Sequence, residues 1–99
     1  MTLAEKSLKL EPNDAYTLNR KGAGYRNLKQ YDKSLNNLNK SLRIQPTDAY
    51  ALKIRDAVYR NLKRYDDSLK NLYSSLEIEP DDVYALKLKS NRLSRSKTI

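Results

Sequence analysis

If this chain performs chemistry, its first candidates are the acidic pairs Asp66–Asp67 and Glu77–Glu79 and the glycine-bearing stretch KGAGY at residues 21–25. Paired carboxylates suit general acid–base work or a hard metal, and closely spaced glycines suit a phosphate cradle. The chain has no His and no Cys. The commonest general base, the usual zinc ligands and any thiol nucleophile are therefore missing, leaving carboxylates, hydroxyls and amines. Adjacent carboxylates on a helix point in different directions, so neither pair shares a site. Asp66 and Asp67 are explained by a helix start, where acidic side chains are favoured, and Glu77 and Glu79 are expected to be simply solvated. KGAGY falls inside a helical pattern and follows no strand, so its glycines are expected to admit close helix packing, at about 1 kcal/mol of helix stability each relative to Ala. No catalytic residue, metal site or cofactor is expected.

These residues are positioned by a repeat. Pro12, Pro46 and Pro80 recur every 34 residues, and residues 15–48 laid on 49–82 give 20 identities in 34 positions. A fixed period of this length marks an array of supersecondary units, each covering the apolar face of the next. Each proline is followed by PND, PTD or PDD and then AY or VY, so Asp14, Asp48 and Asp82 read as N-caps. Leu52, Val58, Tyr59 and Leu62, then Leu69, Leu72, Leu76 and Ile78, follow helical spacing. The pattern predicts two helices per unit: a first at about 15–28 and 49–62, and a second at about 33–44 and 67–78. Asp32 and Asp66 are expected to cap the second helices, which end ahead of the next proline. Residues 1–14 correspond to the second half of a unit and 83–99 to the first half of another. The whole reads as one all-α array of about six helices over 1–99.

The units resemble tetratricopeptide repeats. That family's pattern takes a large apolar residue at its fourth position, here Leu18 and Leu52, and a small one at the eighth, met by Gly22 but not by Asp56. Its aromatic positions are filled by Tyr25 and Tyr59 and, in the interhelix turn, by Tyr31 and Tyr65, all four expected to pack. Ser34, Ser68, Ser41 and Ser75 stand where small residues are usual; they are compatible with close packing, with hydroxyls that can bond back to a carbonyl one turn earlier. Lys29 and Lys63 replace a frequent turn glycine, at a cost on the order of 1 kcal/mol each if φ is positive there. The resemblance implies a right-handed α-solenoid of stacked antiparallel hairpins.

It also implies a function, that of a non-catalytic protein-interaction scaffold with the first helices lining a concave groove. The groove positions are Tyr16, Asn19, Arg26, Asn27, Tyr50, Lys53, Arg60, Asn61, Tyr84, Lys87 and Asn91. Tyrosines give flat apolar area, asparagines can pair with an extended backbone, and arginines grip carboxylates, so an extended acidic peptide is the expected ligand. The same tyrosines and arginines could instead cover turns and solvate the surface. The family's carboxylate clamp for acidic chaperone tails is not reproduced: its places read Asn19, Ala23, Ile54, Tyr84 and Leu88.

The net charge of +8 points to acidic partners in general. Five of those charges fall in 83–99, which contains no acidic residue, so nucleic-acid (RNA) binding through basic helices and this segment is the alternative reading. No membrane contact is expected, since no long apolar run or leader pattern is visible, and an intracellular, cytoplasmic setting follows. Because 1–12 and 83–99 are complementary halves of a unit, head-to-tail self-association is a further expectation, against the alternative that 83–96 only caps a monomer.

Overall fold

The computed structural model of the chain describes residues 14–97, with side chains described through residue 91. Five helices and no strand occur among the described residues: α1 (Ala15–Asn27), α2 (Tyr31–Ile44), α3 (Ala49–Asn61), α4 (Tyr65–Ile78) and α5 (Val83–Lys97). The first and second helices of both repeats are thus present, and α5 is the first helix of the flanking half-unit. The second helix expected in 1–14 falls outside the described residues but for Asp14. The chain divides into two compact units, Met1–Pro46 and Thr47–Ile99.

All three first helices start as expected. Asp14 Oδ1 accepts from the Tyr16 N–H at 3.3 Å. Asp48 Oδ1 accepts from Tyr50 and Ala51 at 3.1 and 3.3 Å, and Asp82 Oδ1 from Tyr84 and Ala85 at 3.1 and 3.4 Å. Each cap satisfies donors that the first turn leaves over and is worth roughly 1 kcal/mol.

The turns inside the two hairpins are copies of one another. The Lys29 N–H donates to Arg26 O and the Gln30 N–H to Tyr25 O, at 2.9 and 2.8 Å; Lys63 and Arg64 do the same to Arg60 O and Tyr59 O, at 3.0 and 2.8 Å. This is the Schellman closure, which needs a left-handed residue, and Lys29 and Lys63 both have φ 61°. The second helices consequently begin at Tyr31 and Tyr65, two residues earlier than the spacing predicts. Asp32 and Asp66 are not caps: Gln30 and Arg64 occupy the cap positions without a side-chain bond, and the aspartates lie within the first turn, where the helix dipole favours them. The Schellman turn uses up the residues that a separate cap would need.

In the first unit, α1 and α2 close over Ala15, Leu18, Leu38 and Leu42. A Cβ at Gly22 would lie 2.7 Å from Leu38 Cγ, so this glycine admits the close approach, whereas Gly24 has nothing within 4 Å and is not needed for packing. In the second unit, Ala49, Leu52, Val58, Leu72 and Leu76 are buried between α3 and α4 or beneath them. Ala85 of α5 joins Leu72 and Leu76, with Leu69 and Leu88 partly buried alongside.

Three of the four serines, Ser34, Ser41 and Ser68, hold the hairpins by hydrogen bonds across the helix crossing, not within their own helix. Ser34 Oγ donates to Gly22 O at 2.7 Å. Ser41 Oγ donates to Asn19 Oδ1 and lies 3.3 Å from Ala15 O. Ser68 Oγ donates to Asp56 Oδ1. Backbones this close offer the hydroxyl an acceptor on the neighbouring helix. The bond back by one turn is made instead by Asn37 to Lys33 O and Asn71 to Asp67 O, at 2.8 and 2.7 Å. Of the four signature tyrosines, Tyr25, Tyr31 and Tyr59 are half-buried and Tyr65 is exposed.

Candidate peptide-binding surfaces

The first helices share one surface feature. Tyr16, Tyr50 and Tyr84, each next but one to a capping aspartate, are 64%, 53% and 59% exposed. A tyrosine in the first turn can lie on its own helix or stand clear of it. Tyr16 is braced by Arg20 one turn on, whose guanidinium lies 5.7 Å from the ring centre and donates to the phenol oxygen at 3.3 Å. These two residues, with Asp14, Thr17 and Lys21, line a shallow hollow at the start of α1. The Tyr16–Arg20 pair is legible in the sequence as an i,i+4 contact, but the repeat positions alone do not select Arg20.

The remaining residues expected along this surface divide into three groups. Arg26 and Asn27 lie in the last turn of α1, Arg60 and Asn61 in that of α3, with the arginines half-buried and the asparagines exposed. Lys87 and Asn91 are exposed on α5. Asn19 is buried and bonded to Ser41, so the hairpin interior has taken its side chain.

Lys53 is engaged differently. Its Nζ lies 2.8 Å from Asp82 Oδ2 and 3.3 Å from Glu79 Oε1, tying α3 to the turn before α5. Asp82 thus caps α5 with one oxygen and holds Lys53 with the other. The hydrogen bond from Lys53 is the main cause holding the Asp82 carboxyl below its ordinary value, with the Ala85 and Tyr84 N–H groups adding to it against desolvation. The same bond, aided by Glu79, raises the Lys53 ammonium against partial desolvation. Glu79 is therefore an ion-pair partner and not merely solvated. A contact between residues so far apart in sequence carries no local signal.

Two further arginines serve the second hairpin. Arg55 Nε donates to Asn71 Oδ1 at 2.7 Å. Arg64 spans Asp67 with Nη2 at 2.7 Å and Nε at 3.0 Å while its guanidinium covers the Tyr59 ring at 4.8 Å.

Paired helices closed by identical turns at a 34-residue period define a helical-repeat protein, whose capped first helices carry exposed aromatic rings. Residues 15–48 match the family model described as tetratricopeptide repeat. Residues 15–48 are therefore similar to a tetratricopeptide repeat, and 49–82 repeats their register and turn geometry. No curated protein matches the chain. No helix among the described residues is long and apolar enough to cross a membrane.

Proposed function

We propose that the protein is a non-catalytic interaction module that binds an extended peptide with acidic side chains along the exposed faces of its first helices. Tetratricopeptide repeats in general mediate protein–protein interaction. The observation that supports this particular reading is the exposed tyrosine at the same place in α1, α3 and α5. An aromatic ring kept out of the core three times over is free to cover a ligand, and Tyr offers area at low entropic cost. Arg20 supplies positive charge beside the Tyr16 ring, and Arg26, Arg60 and Lys87 supply it further along the same helices. Lys53 and Asn19 contribute to the scaffold in this reading, one through Asp82 and Glu79 and the other through Ser41.

The test is fluorescence anisotropy with a labelled extended peptide alternating Asp or Glu with Leu, on the full chain and on Tyr16→Ala/Tyr50→Ala/Tyr84→Ala. These side chains are largely outside the core, so helicity should be unchanged while affinity drops about tenfold or more, as loss of a hot-spot cluster does. Equal binding by both proteins refutes the reading. Single-stranded RNA under the same conditions tests the alternative: tighter binding than the peptide, with a steep salt dependence, transfers the basic surface to nucleic acid.

A further inference from the structure

The α5 helix shows side chains that its two counterparts hide. Leu86 occupies the place of Leu18 and Leu52, yet it is 43% exposed where they are 4% and 5%. Val83 is exposed where Ala15 and Ala49 are buried, and Ser90 is exposed where Gly22 and Asp56 are buried. In α1 and α3 these places face the second helix of the hairpin, since Gly22 abuts Leu38 and Asp56 bonds to Ser68. The open face of α5 is thus shaped for a second helix.

The chain holds one more segment written in the second-helix register. Aligning Pro12 with Pro46 and Pro80 puts Ser7 on Ser41 and Ser75, Leu8 on Leu42 and Leu76, and Leu10 on Ile44 and Ile78. It also puts Glu11 on Glu79 and Asp14 on Asp82, while Lys87 falls on Lys53. The ion-paired cluster that ties the second hairpin together, Lys53 with Glu79 and Asp82, therefore has all three members again in the sequence, the lysine at a place on α5 and both acids just ahead of residue 15. Asp14 already caps α1 through Oδ1, as Asp82 caps α5, so its second oxygen corresponds to the one that Lys53 holds. The first repeat keeps the aspartate, Asp48, but has Asn19 and Gln45 in place of the lysine and the glutamate, so the full cluster is not formed there. The match is thus a property of these two segments and not of every repeat.

We infer that residues 1–14 of a second copy dock on the open face of α5, completing a hairpin between molecules in which Lys87 holds Glu11 and Asp14. Leu8, in the register of buried Leu42 and Leu76, lies against Val83 and Leu86, and Ser7 takes the place at the crossing that Ser41 has in the first hairpin. The contact is heterologous, one end of each molecule meeting the other end of the next, so it leaves an unused face at both ends of any complex and continues to grow with concentration. It differs from the peptide reading in partner and shares only Lys87 with its surface, so either can fail alone.

Sedimentation equilibrium of the full chain from micromolar to millimolar concentration tests it, with Leu86→Glu, Leu8→Glu and their mixture. The wild type should pass from one chain to masses beyond two. Each variant alone should remain a single chain, and the equimolar mixture should form a two-chain complex and nothing larger, because each supplies the surface that the other lacks. Lys87→Glu should weaken assembly about tenfold and Lys87→Glu/Glu11→Lys should recover part of that, the signature of a direct charge pair. A labelled peptide of residues 1–14 should bind the Leu8→Glu chain and not the Leu86→Glu chain. A wild-type mass fixed at one chain overturns the inference, as does assembly indifferent to Leu86→Glu. A loss of thermal stability in Leu86→Glu without any change in mass also overturns it, by assigning the cover to the chain's own segment.

Discussion

Gly22 and Gly24 lie two residues apart on one helix with opposite consequences. Any residue but glycine costs space against Leu38 at position 22, while position 24 faces nothing. Gly24→Ala should therefore raise stability by roughly 0.5–1 kcal/mol through backbone entropy. Gly22→Ala should lower it, since overpacking a filled site costs about 1–3 kcal/mol against a propensity gain of about 1. Thermal unfolding of the two variants checks the opposite signs. The serines at the second crossing place form a similar contrast. Ser41 bonds to Asn19, whereas Ser75 Oγ is buried with no partner among the described residues, its counterpart of Asn19 being Lys53, which is turned to Asp82 and Glu79. Ser41→Ala should cost about 1 kcal/mol and Ser75→Ala should stabilise by a similar amount, both read by urea unfolding. Such differences between aligned residues were not legible from the sequence, in which both serines simply count as small.

The first helices were legible to within a residue because a capping aspartate, an apolar period and a recurrent proline all point to the same boundaries. The second helices were placed two residues late because the glycine that usually marks a Schellman turn is here Lys29 or Lys63, which leaves only backbone bonds to define it. Lys29 and Lys63 were recognised as glycine substitutes, and the positive φ at both follows. Lys29→Gly and Lys63→Gly should each stabilise by on the order of 1 kcal/mol, since only the left-handed strain is removed while Tyr25 O and Tyr59 O keep their partners. Calorimetry of the single and double variants checks whether the gains add. The tie between α3 and the start of α5 gives an acid-sensitive prediction. The Asp82 carboxyl sits below its ordinary value of 3.8, so its contribution is complete above that pH and is lost as the pH falls through the lower folded-state value. The stability difference between wild type and Asp82→Asn should thus hold steady at neutral pH and shrink below 3.8. A difference that grows on acidification contradicts the assignment.

Across the whole chain, the period carried most of the information. It gave the all-α class, the hairpin units and the use of α5 as a further first helix, because burial of one face per hairpin forces neighbouring copies to share a pattern. The candidate surface was only partly legible. Tyr16, Tyr50 and Tyr84 are exposed as expected of a binding face, but Asn19 is drawn inward by Ser41 and Lys53 is bound to two carboxylates. Those fates depend on residues 22 or more positions away, which repeat position alone does not encode. The net charge of +8 favours acidic ligands without selecting among them, and in the proposed reading the rings supply the selection. The most direct measurement is an amide-shift titration of the full chain with the extended acidic peptide. The account predicts that the largest changes fall in the first turns of α1, α3 and α5, around Tyr16, Tyr50 and Tyr84, and vanish in the triple alanine variant. Changes confined to α2 and α4, or surviving in that variant, contradict it.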